Sequence, residues 1–181
     1  EELLPEGSPI LALAPTANWG GKQWPAMNFN ELVERLTSLG GYLAGARVAI
    51  FGAAEERDMV VPLLDILPRE QQIDLVGQTD LLTAYACLKR CYGFIGNDSG
   101  LMHLAAASGI PTLGLFGLSE EKIYAPWGNN CSWVRTKRTF RQIVDSPNYD
   151  FRSQKSQMVD LPVDWVEAAF IEMIEKSRAV H

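Results

Sequence analysis

The sequence predicts an α/β fold, a Rossmann-like doubly wound parallel sheet. Three observations carry the prediction. Short apolar runs recur along the chain, at residues 10–14, 47–51, 73–76, 92–96 and 112–116. Stretches with helical spacing of apolar residues separate them. The runs are apolar throughout rather than alternating, which is the pattern of strands covered on both faces by crossover helices.

Each element can be justified in turn. The first strand reads Ile10-Leu11-Ala12-Leu13-Ala14. A helix over 28–39 carries Phe29, Leu32, Val33, Leu36 and Leu39 at helical spacing, and Gly40 and Gly41 end it. The second strand, 47–51, closes at Gly52, and the helix that follows, 55–67, is stopped by Pro68. Strand 73–76, helix 81–89, strand 92–96, helix 99–108 and strand 112–116 continue the alternation, each crossover right-handed. After Gly117 the pattern loosens. Residues 133–135 fit a sixth strand, and 163–177 a final amphipathic helix buried through Val166, Ala169, Phe170 and Met173. Residues 1–9 read as a linker from a preceding domain, leaving 10–181 as the folded unit.

Bulk properties exclude several classes. Apolar residues make up 47% and charged residues 21%, ordinary for a globular chain. No run approaches the length of a membrane span, and the acidic start is not a signal peptide. Three cysteines form no disulfide framework and fit a reducing compartment. With only His103 and His181, a histidine-based metal site is not expected. A net charge of −6 argues against nonspecific nucleic-acid binding. The charge is uneven, however. Residues 131–155 hold six basic residues against two acids, so this segment is +4 and the remainder −10. It reads either as a solvated excursion or as a contact for an anionic partner or lipid surface.

Ligands of open parallel sheets bind beyond the carboxyl ends of the strands. Four segments there are informative. The first, residues 15–25, offers Thr16, Asn18, two glycines that let a backbone approach an anion, and Lys22, without P-loop spacing. The second carries Glu55 and Glu56, either ribose contacts or simply carboxylates in a first helical turn. The third is the strongest: Gly96-Asn97-Asp98-Ser99-Gly100-Leu101-Met102-His103. A strand ends and a helix begins there, so Ser99 and Gly100 present free N–H groups to an anion. Asp98 is a ligand contact or only an N-cap. His103 faces the same mouth or lies buried against a carbonyl. The fourth, residues 116–128, forms the next wall of the cleft or only a packed turn.

Together these segments resemble glycosyltransferase family 9, the lipopolysaccharide heptosyltransferases. The stretch from Asn97 to Ala107 carries the likeness, with Gly109-Ile110-Pro111-Thr112, Leu115-Phe116-Gly117 and Pro126-Trp127-Gly128 behind it. Lys22-Gln23-Trp24-Pro25 and Phe51-Gly52-Ala53-Ala54-Glu55 match upstream motifs. The similarity runs over residues 10–127, and the entry to the last helix at Leu161-Pro162-Val163 also fits.

The resemblance implies one half of a two-domain GT-B architecture, the C-terminal donor-binding half. It implies an inverting transferase carrying heptose from ADP-heptose to the lipopolysaccharide inner core, with no metal or other cofactor. The donor diphosphate would lie at Ser99 and Gly100. Lys22 would neutralise phosphate charge, Glu55 (or Glu56, one register on) would meet the ribose, and Asp98, Leu101 and His103 would line the sugar and phosphate region. Thr16 and Asn18 would complete the donor site, and Met102 would pack in the core. The catalytic base would come from the N-terminal domain, so this half alone would be inactive. A cytoplasmic setting with peripheral contact to the inner membrane face is also implied. Two other readings share the fold: a nucleotide-sugar epimerase fragment and a non-catalytic nucleotide-sugar-binding module. In this chain Trp19-Gly20-Gly21 stands where the family often has more polar residues.

Overall fold

The computed structural model describes residues 3–179. Six strands form one sheet: β1 (Ile10–Ala14), β2 (Arg47–Ile50), β3 (Gln72–Asp74), β4 (Gly93–Asn97), β5 (Thr112–Phe116) and β6 (Cys131–Arg135). Their order is β3-β2-β1-β4-β5-β6, and every pairing is parallel. The helices are α1 (Ala26–Thr37), α2 (Arg57–Leu64), α3 (Leu81–Leu88), α4 (Gly100–Ser108), α5 (Glu121–Tyr124), α6 (Phe140–Val144) and α7 (Val163–Ala179). This is the predicted doubly wound fold. The chain winds outward from β1 through β3, then returns to place β4 on the other side of β1. The strand order therefore reverses between β1 and β4, the position where open sheets form a binding crevice.

Two cores flank the sheet. On one face Trp24, Phe29, Leu32 and Leu36 pack with Val166 and Phe170 of α7. On the other, Ala84, Cys87 and Leu88 of α3 and Met102 and Ala105 of α4 pack with Phe51 and Phe94. Side chains on both faces explain why β1, β4 and β5 are buried at every position. Edge strand β6 is half-buried, which is why its apolar signal was faint.

Several boundaries differ from expectation for identifiable reasons. The first helix begins at Ala26, because Pro25 supplies a carbonyl to the N–H groups of Asn28 and Phe29. It ends at Thr37, leaving Leu39 exposed in the following turn. The second helix ends at Leu64. The apolar spacing runs on because Leu67 is buried through the turn after it. Helices α5 and α6 are four and five residues long, too short to show a period. Within the predicted linker, Leu4 is buried in the core beneath α3 and α4, while Glu1 and Glu2 lie outside the described residues, as does His181.

Candidate functional site

The site is built over the β1–β4 crevice, where two loops are fastened by one side chain. Asn97, at the end of β4, is fully buried. Its Oδ1 accepts the Trp24 N–H at 3.0 Å, and its Nδ2 donates to the Pro15 carbonyl at 2.7 Å. The loop after β1 is thus tied at both ends to the strand beside it. Such bonds satisfy backbone groups that no sheet or helix reaches.

Between those ties lies a single turn of 3-10 helix, Gly20–Lys22. It delivers Lys22 across the crevice to Asp98, with Nζ 2.8 Å from Oδ2. Asp98 is 8% exposed and Lys22 22%. The Tyr124 ring of α5 stands 5.9 Å from the same ammonium. Asp98 is therefore not the cap of α4; Ser99 holds that position. The two glycines allow close packing against other parts of the chain. A Cβ at Gly20 would lie 2.3 Å from the Gln154 carbonyl, and one at Gly21 would lie 2.7 Å from Leu118 Cδ1.

Helix α4 opens beside this pair. Ser99 is extended and makes no side-chain cap, and its buried Oγ has no partner. The first N–H groups of a helix have no intrahelical acceptor, and the aligned peptides place about half a positive charge there. Gly100 is exposed, and a Cβ on it would meet nothing within 4 Å. The opening is thus positive, uncapped and sterically clear.

A cleft of about 320 Å³ runs from this helix start along the strand ends. Its walls are Thr16 after β1, Gly52, Ala53 and Glu56 after β2, Thr79, Asp80 and Leu81 after β3, and Ser99, Gly100, Leu101 and Leu104 from α4. Of the residues singled out from sequence, Thr16, Ser99, Gly100 and Leu101 line it. Glu56 lines it as well, accepting the Ala53 N–H at 2.8 Å. Glu55 is exposed, outside the lining. Lys22 and Asp98 are outside the lining and meet at the lip, where Asp98 directly precedes Ser99. Asn18 and His103 are exposed and outside the lining, so His103 is not a buried helix residue. Met102 is fully buried in the core.

Sequence reasoning missed two contributors. Asn97 was read only as a strand end. The wall after β3 carries no motif, although it too lies at a strand's carboxyl end. Asp80 there caps α3, accepting the Thr83 N–H at 2.7 Å. The Thr83 hydroxyl and that N–H hold its carboxyl below the ordinary aspartate range. Nearby, Arg57 pairs with Asp74 and donates to the Val76 carbonyl at 2.8 Å, fixing the approach to this wall.

Among the described residues no helix is long and apolar enough to cross a membrane, and no group of three His, Cys, Asp or Glu is arranged to hold a metal ion.

Comparison with known proteins gives one consistent answer. The model of the family described as glycosyltransferase family 9 (heptosyltransferase) matches residues 2–147. A lipooligosaccharide heptosyltransferase 2 of Haemophilus influenzae is 31% identical over 131 residues, which is 70% of this chain and 36% of that protein. The lipopolysaccharide heptosyltransferase 2 of Salmonella typhimurium is 32% identical over the same shares of each chain. This chain spans about a third of the length of such relatives. Among solved structures, the Escherichia coli ADP-heptose heptosyltransferase II aligns with a TM-score of 0.77 at 24% identity, over 97% of this chain and 49% of that one. A family 9 glycosyltransferase of Veillonella parvula also aligns with a TM-score of 0.77, at 22% identity, over 93% and 46%. Both structural likenesses concern the fold.

Proposed function

The chain belongs to glycosyltransferase family 9, and on that premise we propose that it is the donor-binding part of an inverting heptosyltransferase that uses ADP-heptose in lipopolysaccharide assembly. The observation that carries this reading is the uncapped start of α4, open to a cleft and flanked by Lys22. A nucleoside diphosphate fits that arrangement. Its phosphates meet the N–H groups of Gly100 and Leu101, and the nucleoside lies along the cleft toward Glu56 and the β3 wall. The apolar side chains of Leu81, Leu101 and Leu104 offer the base a surface, and Glu56 offers the ribose an acceptor.

The chemistry follows from where charge develops. In inverting transfer the anomeric carbon gains positive character as the diphosphate departs with the bonding electrons. Fixed donors aimed at the leaving group lower that barrier most when they need no reorganisation. Here α4 supplies peptide dipoles, and Asp98 holds the Lys22 ammonium at the lip before any ligand arrives. An ammonium has three donors, so it can keep Asp98 and still reach a phosphate oxygen. Phosphate charge is then met by protein groups, without a metal ion. The acceptor hydroxyl would lose its proton to a base outside this chain, in keeping with the share of its relatives that the chain covers. The setting would be cytoplasmic, with the acceptor lipid bringing the enzyme to the membrane face. Family membership weighs against the epimerase reading.

The test is a thermal-shift and calorimetry series with ADP, UDP and GDP on this chain. A ligand bound only by the folded state raises its apparent stability. ADP raises the midpoint in this account, more than UDP or GDP does. No shift with any of the three, at millimolar concentration, would remove the donor-site reading.

A further inference from the structure

The turn that carries Lys22 is only three residues long, and no side chain caps it. Left to itself such a turn would not hold a lysine in one place, since short 3-10 segments have poor hydrogen-bond geometry. The structure shows what holds it. Four hydrogen bonds reach it from residues 153–157, more than 130 positions along the chain. The Trp19 indole N–H donates to the Ser153 carbonyl at 3.1 Å, and the Gly20 N–H to Gln154 Oε1 at 2.9 Å. The Gln157 N–H donates to the Gly21 carbonyl at 3.0 Å, and the Ser156 hydroxyl to the Gln23 carbonyl at 2.6 Å. Gly20 lies so close to the Gln154 backbone that a side chain there is excluded.

This strap is itself anchored. Met158, directly after it, is fully buried and sits against Gly117. Arg138 Nε meets Asp160 Oδ2 at 2.9 Å just beyond. The strap belongs to the excursion between β6 and α7, and it lies past residue 147, where the family match ends.

We infer that residues 153–157 form a positioning strap that sets Lys22 for contact with a phosphate-bearing ligand, with Gln154 and Ser156 acting through the lysine's turn. The inference rests on the reading of Lys22 as a phosphate contact. It also gives part of the excursion a task other than binding an anion itself.

The experiment is a double-mutant cycle on ADP binding, followed by NMR titration into the millimolar range. Gln154 is exposed and Ser156 half-buried, so Q154A combined with S156A removes no core side chain, while S156A also frees the Met158 N–H that the Ser156 hydroxyl accepts at 3.0 Å. A loosened lysine gives up part of its contact, so affinity is expected to fall by about three- to tenfold, the range of one net hydrogen bond. The double variant is expected to weaken ADP by that amount in the parent chain and not at all when Lys22→Ala is also present. S156T, which restores a hydroxyl, should recover part of the loss. An unchanged affinity in the parent, or an equal loss in both backgrounds, overturns the strap's role while leaving Lys22 in the site. ADP bound equally well by Lys22→Ala and by the parent overturns the phosphate reading of the lysine, and the strap's role with it.

Discussion

The two sides of the cleft lip are made in opposite ways. The α4 side is local and open. Its geometry comes from a nine-residue helix whose start lacks a side-chain cap, and Gly100 there has empty space around it. The Lys22 side is remote and fastened. Its turn is held by Asn97 from β4, by Asp98 across the crevice and by the strap at 153–157. The difference teaches a division of labour. Peptide dipoles can stand ready because the helix orients them, whereas a flexible lysine must be held by its neighbours.

Breaking each side should therefore give different signatures. The largest expected effect is on the fastened side. Lys22→Ala removes a charge-assisted contact and should weaken ADP by roughly 10- to 100-fold, since such bonds contribute about 1.5–3 kcal/mol. Calorimetry measures it. Asp98 loses its partner in this variant, so some thermal destabilisation should accompany the change. On the open side, Gly100→Val should weaken ADP by about tenfold or more, equivalent to about 1.4 kcal/mol. It should leave the melting temperature nearly unchanged, because its Cβ has room. A drop in melting temperature as large as that of Lys22→Ala would erase the contrast between the two sides.

Asn97→Ala sharpens the comparison from below. It strands the Trp24 N–H and the Pro15 carbonyl in a buried place, at a cost of about 1–3 kcal/mol for such a group. Chemical denaturation should register that loss of stability, and ADP binding should fall along with it. Full stability would mean the loop after β1 does not depend on this staple.

The smallest effect concerns the foundation under the open side. Cys91 lies in the core beneath α3 and α4, where burial pushes its thiol up to about 12. Cys87 is raised by burial as well. A thiol whose pKa is raised by folding favours the folded state at pH below the unfolded value, near 8.5. That contribution falls as pH climbs from there towards about 12, because the unfolded chain ionises first. Denaturation profiles should thus decline above about pH 9, less steeply when Cys91 is replaced by Ala. At pH 8 a thiol reagent should modify Cys91 only after unfolding.

The same contrast explains what the sequence made legible. The alternation of apolar runs and helical spacing identified five strands and the main helices, since each is a local pattern. The α4 side was legible for the same reason: Asp98, Ser99 and Gly100 stand together at a strand-to-helix junction. The resemblance to glycosyltransferase family 9 rested on those residues, and the family match agrees with it. The fastened side was not legible. Nothing near Lys22 announces Gln154 or Ser156, because the hydrogen bonds joining them span 133 or 134 positions. Gly20 and Gly21 also leave room for Gln154 and Leu118, neighbours that no local pattern shows. Asp98 has the residue type of a cap, and only its ion pair with Lys22 and the place of Ser99 at the cap distinguish it. The β3 wall escaped because Thr79 and Asp80 carry no motif, although the strand-end rule reaches them.

The most direct measurement is a crystal structure of this chain with ADP. The account predicts the diphosphate at the start of α4, within hydrogen-bond reach of the Gly100 and Leu101 N–H groups, with Lys22 Nζ on a phosphate oxygen. Nucleotide bound elsewhere, with that helix start facing only solvent, would contradict it.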